Sequence, residues 1–289
     1  MFQDNCFFEE KFSSIIKVKG PDKFSFLQGI ISNDTEVLKT KLSLYAAILT
    51  PQGKFLSDFI LSIYEDNILI ELKSENLDIV MKKLSIFKLR SNVTFEVVND
   101  FKIYLLNKNS LEIFKKIKFK NAFSDPRFNN LFYRVYIFGK QKVTNLENND
   151  FYLLKQEEYQ SLRLLHAIPD FSIDAISNKS LLMEMRFNCL NGISWDKGCY
   201  LGQEITARMY YRKIKKKQIS QVKIKFKTFI NQKILLNGSE VGFLTSYDKK
   251  NGLAYISKNI LENYRNEEFK SGDSILSIYD PWWSSNFNS

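Results

Sequence analysis

The chain has 289 residues, of which 44% are apolar and 26% charged, a balance that excludes a fibrous, collagen-like or wholly disordered chain and, by length, predicts about two domains. Its 42 lysines and arginines against 32 acidic residues leave a net charge of +10, which favours contact with anions such as RNA, phosphates or polyglutamate tails without choosing among them. Three cysteines, Cys6, Cys189 and Cys199, with a single histidine, His166, exclude a disulfide scaffold and a four-cysteine metal centre and argue against a histidine-ligated metal.

At the N-terminus Asp4, Glu9 and Glu10 surround only a Phe7-Phe8 pair, so no secretory signal is expected and the cytoplasm is the expected compartment. Ile15 to Val18 reads as a strand, Gly20-Pro21-Asp22 as a turn, and Phe24, Leu27 and Ile31 as one face of a helix that Pro21 opens. Leu42 to Gly53 is the longest apolar candidate, but Ser43, Thr50 and Pro51 interrupt it, and it falls short of the ~18 residues of a spanning helix. No membrane crossing is expected. Within it Tyr45 to Leu49 is a strand and Thr50-Pro51-Gln52-Gly53 a hairpin turn, followed by strands at Phe55 to Tyr64 and Ile68 to Leu72. Leu77, Val80, Leu84 and Phe87 mark an amphipathic helix that Ser74 is placed to cap, and Val93 to Val98 and Lys102 to Leu106 return to strand. The polar connector Thr144 to Asp150 is a weak domain boundary. Phe151 to Ile168 is helical in period and stopped by Pro169; within it His166 reads as a packed helix residue rather than a general base. Arg212 to Lys217 holds five basic residues in six, and Val222, Ile224 and Phe226 then alternate with Lys223, Lys225 and Lys227, the pattern of a half-buried strand. Gly238, Gly242, Gly252 and Gly272 space short apolar runs, as in a small β-barrel or sandwich.

The stretch Trp195-Asp196-Lys197-Gly198-Cys199-Tyr200-Leu201-Gly202-Gln203-Glu204 carries the chemistry. Two glycines bracket a cysteine that follows a lysine by two residues and precedes a helix, Gln203 to Tyr211, on which Glu204 and Arg208 are four apart. The helix dipole and Lys197 both favour a thiolate at Cys199. Taken alone, such a cysteine is more often a small buried filler in a shaped turn.

Lys197 to Glu204 resembles the K-G-C-Y-x-G-Q-E signature of the YgfZ family, folate-binding relatives of the glycine-cleavage aminomethyltransferases, at all seven specified positions. Further blocks resemble the same family in the same order: Val18 to Asp22 leading to Phe26-Leu27-Gln28-Gly29 and Asn33-Asp34, then Leu49 to Lys54, Asp125-Pro126-Arg127, and Arg163 with Ile168-Pro169. The resemblance implies an α+β fold, a ring of two interlocked α+β domains over residues 1–212, with a possible internal boundary near 144–150, and a C-terminal β-barrel over 213–289. It implies a bound tetrahydrofolate or one-carbon-substituted reduced folate and a role in assembly or repair of iron-sulfur proteins, with an indirect effect on tRNA modification. The implied partners are iron-sulfur proteins or assembly factors; direct tRNA contact ranks below them.

Carried over by position, Cys199 is the reactive or partner-facing thiol and Lys197 its electrostatic neighbour. Glu184, in the apolar run Leu182-Met183-Glu184-Met185, is the expected pterin ligand, because a carboxylate matches adjacent N–H donors with paired hydrogen bonds; the competing reading is an ion pair with Arg186 or Arg163. Asn33 and Asp34 either face the ligand or cap a turn, and Arg163, Gln203 and Arg208 complete the expected folate-binding set. Where aminomethyltransferases carry an acidic pair, this chain reads Ser57-Asp58. Loss of a positioned acid or base typically removes ~10²-fold to 10⁴-fold of rate, so a one-carbon transferase is the alternative reading and an accessory factor the preferred one.

Overall fold

The computed structural model describes residues 6–107, 110–111, 121–128, 131–139, 152–225, 230 and 232–287. The connector at 144–150, and Phe226 and Lys227 of the expected strand, lie outside the described residues. The chain separates into two compact units: Met1–Leu49, Leu56–Tyr159 and Asn191–Leu201 form one, and Thr50–Phe55, Gln160–Leu190 and Gly202–Ser289 the other. Each therefore draws on three separate stretches of sequence.

The first unit contains β1 (Cys6–Glu10), β2 (Ser13–Lys19), α1 (Lys23–Gln28), β3 (Ser43–Leu49), most of β4 (Phe55–Tyr64), β5 (Asn67–Lys73), α2 (Leu77–Lys88), β6 (Thr94–Val98), β7 (Phe101–Asn107), β8 (Ala122–Ser124), β9 (Phe132–Phe138) and β10 (Tyr152–Leu153). They make two five-stranded sheets, ordered β3-β4-β5-β2-β6 and β10-β1-β7-β9-β8. In the former, Ile16 pairs opposite Ile70 and Val97, and Leu27, Ile31, Val80 and Leu84 pack with Ile16, Val18, Ile48, Leu61 and Ile70 in one core. All seven residues of β3 are buried, which accounts for its run of apolar residues in place of alternation. Ser74 does not cap α2. It opens a short 3-10 turn, Ser74–Asn76, and its hydroxyl accepts a hydrogen bond from Ser14 at 2.9 Å.

Helix α3 (Gln156–Leu165) is shorter than its periodicity implies, because Tyr152 and Leu153 pair with β1 as strand. Its end is not set by Pro169. Ala167 adopts φ +52°, its N–H bonds to the Leu164 carbonyl and that of Ile168 to the Arg163 carbonyl, a Schellman turn that satisfies the last carbonyls two residues before the proline. After a turn-rich stretch comes α4 (Gln203–Tyr211).

The second unit ends in a closed six-stranded barrel of β11 (Lys217–Lys225), β12 (Lys233–Leu236), β13 (Ser239–Tyr247), β14 (Asn251–Ser257), β15 (Phe269–Ser271) and β16 (Ser274–Tyr279), ordered β11-β14-β13-β12-β15-β16, with α5 (Lys258–Asn263) after β14. Val222 and Ile224 point into its core with Ile234, Leu244, Ile256 and Phe269, and Lys223 and Lys225 are exposed, as the alternation requires. Asn237 and Gly238, at φ +49° and +80°, join β12 to β13 in a two-residue turn of the type whose twist matches the strands. The α+β class and the terminal barrel stand as expected.

Candidate functional site

In the first unit, the loop from Asn191 to Leu201 is fastened along its length to the segment after α1. Ser32 Oγ donates to the Gly192 carbonyl at 2.6 Å, Asn33 Nδ2 to the Asn191 carbonyl at 2.7 Å, and the Ser194 and Leu201 amides to the Ser32 and Gly29 carbonyls at 3.1 and 3.0 Å. Lys197 is 8% exposed, and its ammonium donates to the carbonyls of Gln28, Ile31 and Asn33 at 2.7, 2.9 and 2.7 Å while lying 5.1 Å from the Tyr200 ring centroid. Burial pushes its pKa down to about 8, with Asp34 acting in the opposite sense, so it is still an ammonium at neutral pH. Between the buried Lys197 and Tyr200, Gly198 and Cys199 are exposed. Cys6 and Cys189 are both buried.

These contacts revise two expectations. An ammonium has three N–H donors, and those of Lys197 all point at backbone carbonyls, so it acts on the loop's shape and not on the sulfur. Asn33 is also structural: Nδ2 bridges the carbonyls of Tyr45 and Asn191, and Oδ1 accepts from the Asp34 amide. Asp34 caps the Thr35–Lys39 turn through the Glu36 amide and accepts from Gln28 Nε2, both at 2.9 Å. The role of Gln28, whose Oε1 also receives the Thr35 amide and hydroxyl, was not visible in the sequence, because a glutamine on a short helix carries no pattern of its own.

Nearby in the same unit, the Asp125-Pro126-Arg127 block meets this loop where Asn191 Nδ2 donates to the Pro126 carbonyl at 3.2 Å. Asp125 accepts from Arg127 and Arg134, and these guanidinium groups hold its carboxyl well below the usual range against the cost of burial. Arg127 lies 5.5 Å from the Tyr45 ring. Tyr45 Oη donates to Asp58 at 2.7 Å, and Ser57, fully buried, donates only to the Asp58 carbonyl. One carboxylate, engaged by a tyrosine, stands where the acidic pair would be.

In the second unit, Glu184 is 7% exposed. Arg186 binds Asp280 and Arg163 binds Asp174, so neither forms the ion pair that competed with the ligand reading. Among the described residues the Glu184 carboxylate has no hydrogen-bond or ion-pair partner; burial raises its pKa, and Lys217, Lys54 and Lys216 lower it. A cavity of about 140 Å³ in this unit is lined by Ile173, Ile176, Lys179, Lys217, Phe243 and Tyr255 among others. The Lys217 ammonium sits 4.8 and 5.2 Å from the Phe243 and Tyr255 ring centroids; among the described residues it forms no salt bridge, and its charge acts on Glu184. In the sequence Lys217 is only the last residue of a basic run; its ring contacts depend on β13 and β14, tens of residues away.

The remaining expected residues lie in the same unit. Arg163 is 2% exposed; its guanidinium donates to Asp174 at 2.8 Å, to the Ile168 carbonyl at 2.9 Å and to Gln160 at 2.8 Å. These bonds tie Arg163 to Asp174 and to the end of α3 within the protein. Asp174 in turn accepts from Thr245 and Ser246, each at 2.6 Å. Gln203 opens α4, and Arg208 is exposed and paired with Glu204 at 2.7 Å. Gly53, at φ +71°, sits so close to this helix that a Cβ there would lie 2.8 Å from the Gly202 carbonyl and 3.1 Å from Ile205.

Across 96% of this chain and 86% of the other, the structure superposes on the glycine cleavage system aminomethyltransferase T of Bartonella henselae with a TM-score of 0.80 at 13% sequence identity. The fold is that of an aminomethyltransferase. No protein-family model matches the chain. By sequence it is 28% identical over 225 residues to the mitochondrial iron-sulfur cluster assembly factor IBA57 homolog of Neurospora crassa, covering 71% of this chain and 50% of that one. The homolog of Dictyostelium discoideum is 27% identical over 257 residues, covering 75% and 62%, and the human IBA57 is 25% identical over 232 residues, covering 73% and 64%. The chain thus matches between half and about two thirds of these relatives' lengths. All three are mitochondrial by name, which overturns the expected cytoplasmic location. Among the described residues no helix is long and apolar enough to cross a membrane.

Proposed function

We propose that this chain is a folate-binding accessory factor for iron-sulfur protein assembly or repair, of the YgfZ type, and that Cys199 is the group it presents to its partners. The observation that carries the reading is the display of Cys199: it is exposed at a site where the flanking loop is fixed by buried hydrogen bonds on both sides. The names of the relatives support the process, and the aminomethyltransferase fold supports the ligand class. An effect on tRNA modification follows only through the iron-sulfur enzymes that perform it.

For the folate, the fit rests on Glu184. A desolvated carboxylate with no protein partner is costly unless something donates to it, and the N–H edge of a reduced pterin does so. Lys217 and Lys179, at a partly apolar cavity, suit the anionic glutamate end of the same molecule. A bound reduced folate supplies a one-carbon carrier and a reducing pterin ring. The chain's own groups hold it: Glu184 as acceptor, the lysines as counter-charges. With Ser57 in place of an acid and Asp58 engaged by Tyr45, the transferase reading is the weaker one.

Titration of intrinsic fluorescence with tetrahydrofolate tests the ligand, and replacement of Cys199 tests the role. Cys199→Ala is expected to abolish support of iron-sulfur enzymes in cells while tetrahydrofolate affinity stays within about threefold, under ~1 kcal/mol. Normal support by the alanine variant overturns the role, and absence of tetrahydrofolate binding overturns the cofactor.

A further inference from the structure

The carbonyl oxygens of Gln28, Ile31 and Asn33 come from one six-residue stretch and converge on a single atom, Lys197 Nζ, at 2.7 to 2.9 Å. Such a cluster of hard oxygen acceptors is what a protein ordinarily builds around a small cation. Here the cation is covalently part of the facing loop. We propose that Lys197 is a positioning residue whose ammonium is the built-in cation of this three-carbonyl cage, and that filling the cage sets the presentation of Cys199. The proposal rests on Cys199 being the displayed thiol, but not on what that thiol does.

Three observations support it. The side chain is 8% exposed, and a buried ammonium is tolerated only when its donors are matched; here the three acceptors match them in number. Among the described residues Asp34 is the carboxylate that acts on it, and the Tyr200 ring lies against it at 5.1 Å. Finally, the cage and the Ser194 amide staple precede Gly198-Cys199 and the Leu201 staple follows it, so removing the ammonium undoes the fastening adjacent to the displayed dipeptide on one side and leaves three acceptors in the Gln28–Asn33 segment without their donor.

The cage predicts chemical rescue. In Lys197→Ala the carbonyls remain and the cation is gone, so methylammonium, which can donate to them, should enter, whereas tetramethylammonium, which has no N–H, should not. The readouts are the alkylation rate of Cys199, located by mass spectrometry after iodoacetamide, and amide hydrogen exchange over 28–34 and 191–201. Lys197→Ala and Lys197→Met are expected to raise local exchange roughly tenfold, the change for one hydrogen bond to a charged group, and to alter the Cys199 rate. Methylammonium should restore both in the alanine variant, and tetramethylammonium at equal ionic strength should restore neither. Should Lys197→Ala not fold unaided, recovery of its melting transition in methylammonium alone supports the cage, and failure in both salts overturns it. Exchange and alkylation within twofold of the parent in Lys197→Met, or equal rescue by the two salts, also overturns it. None of these readouts depends on iron-sulfur activity, so the cage can fail while the proposed function stands, and the reverse.

Discussion

Arg186 closes on Asp280, 94 residues away, and not on Glu184, two residues away. The short-range pair is the one the sequence suggests, and its absence leaves Glu184 a desolvated carboxylate whose pKa is raised by burial. A carboxyl raised in the folded state holds more protons there than in the unfolded chain, so its contribution to stability falls as pH rises through the unfolded value of about 4.3 toward the folded one. Glu184→Gln is therefore expected to raise the melting temperature of the ligand-free protein at neutral pH and to flatten this part of its pH dependence. The same variant should lose ~1.5 to 3 kcal/mol of tetrahydrofolate affinity. A melting temperature that falls instead would mark Glu184 as structural.

Arg163→Ala should behave in the opposite way. It strands Asp174, which is fully buried and accepts from four donors including this guanidinium, and removing one partner of a buried pair costs about 3 to 5 kcal/mol. Urea unfolding should show that loss. A variant of parental stability that bound tetrahydrofolate poorly would return Arg163 to the ligand.

Cys199 is expected to be alkylated well before Cys6 and Cys189. Access decides this, since the other two are 4% and 7% exposed and burial additionally pushes the Cys189 thiol up. Peptide mapping at sub-stoichiometric iodoacetamide gives the order directly; first labelling at Cys189 would contradict the described packing.

Gly53 and Gly198 differ in backbone geometry. Gly53→Ala places a side chain at φ +71° and 2.8 Å from a carbonyl, and should cost at least the ~1 to 2 kcal/mol of a left-handed non-glycine residue. Gly198 has nothing within 4 Å of an added Cβ, so Gly198→Ala should stay within about 0.5 kcal/mol of the parent. If the second variant nonetheless fails to support iron-sulfur enzymes, the open space beside Cys199 serves the partner and not the fold.

Local signals carried much of this structure. The helix from Gln203 to Tyr211 was readable from one Glu204–Arg208 spacing, and the hairpin at Thr50–Gly53 from turn chemistry. What the chain did not disclose locally were pairings set by distant partners: β1 is a strand because β7 and β10 flank it, and β9 because it fills the gap between β7 and β8. The same holds at the site. A lysine two residues before a cysteine reads as its electrostatic neighbour until the carbonyls of Gln28, Ile31 and Asn33, more than 160 residues earlier, accept its three hydrogen bonds.

Closure of the six-stranded barrel has a consequence for assembly. A sheet that returns on itself offers no row of free amides and carbonyls to an incoming strand, and with β16 bonded to β11 that face of the protein cannot be lengthened by backbone pairing with another chain. Substitutions at surface positions of the barrel should therefore leave no route to strand exchange or fibre growth through its sheet.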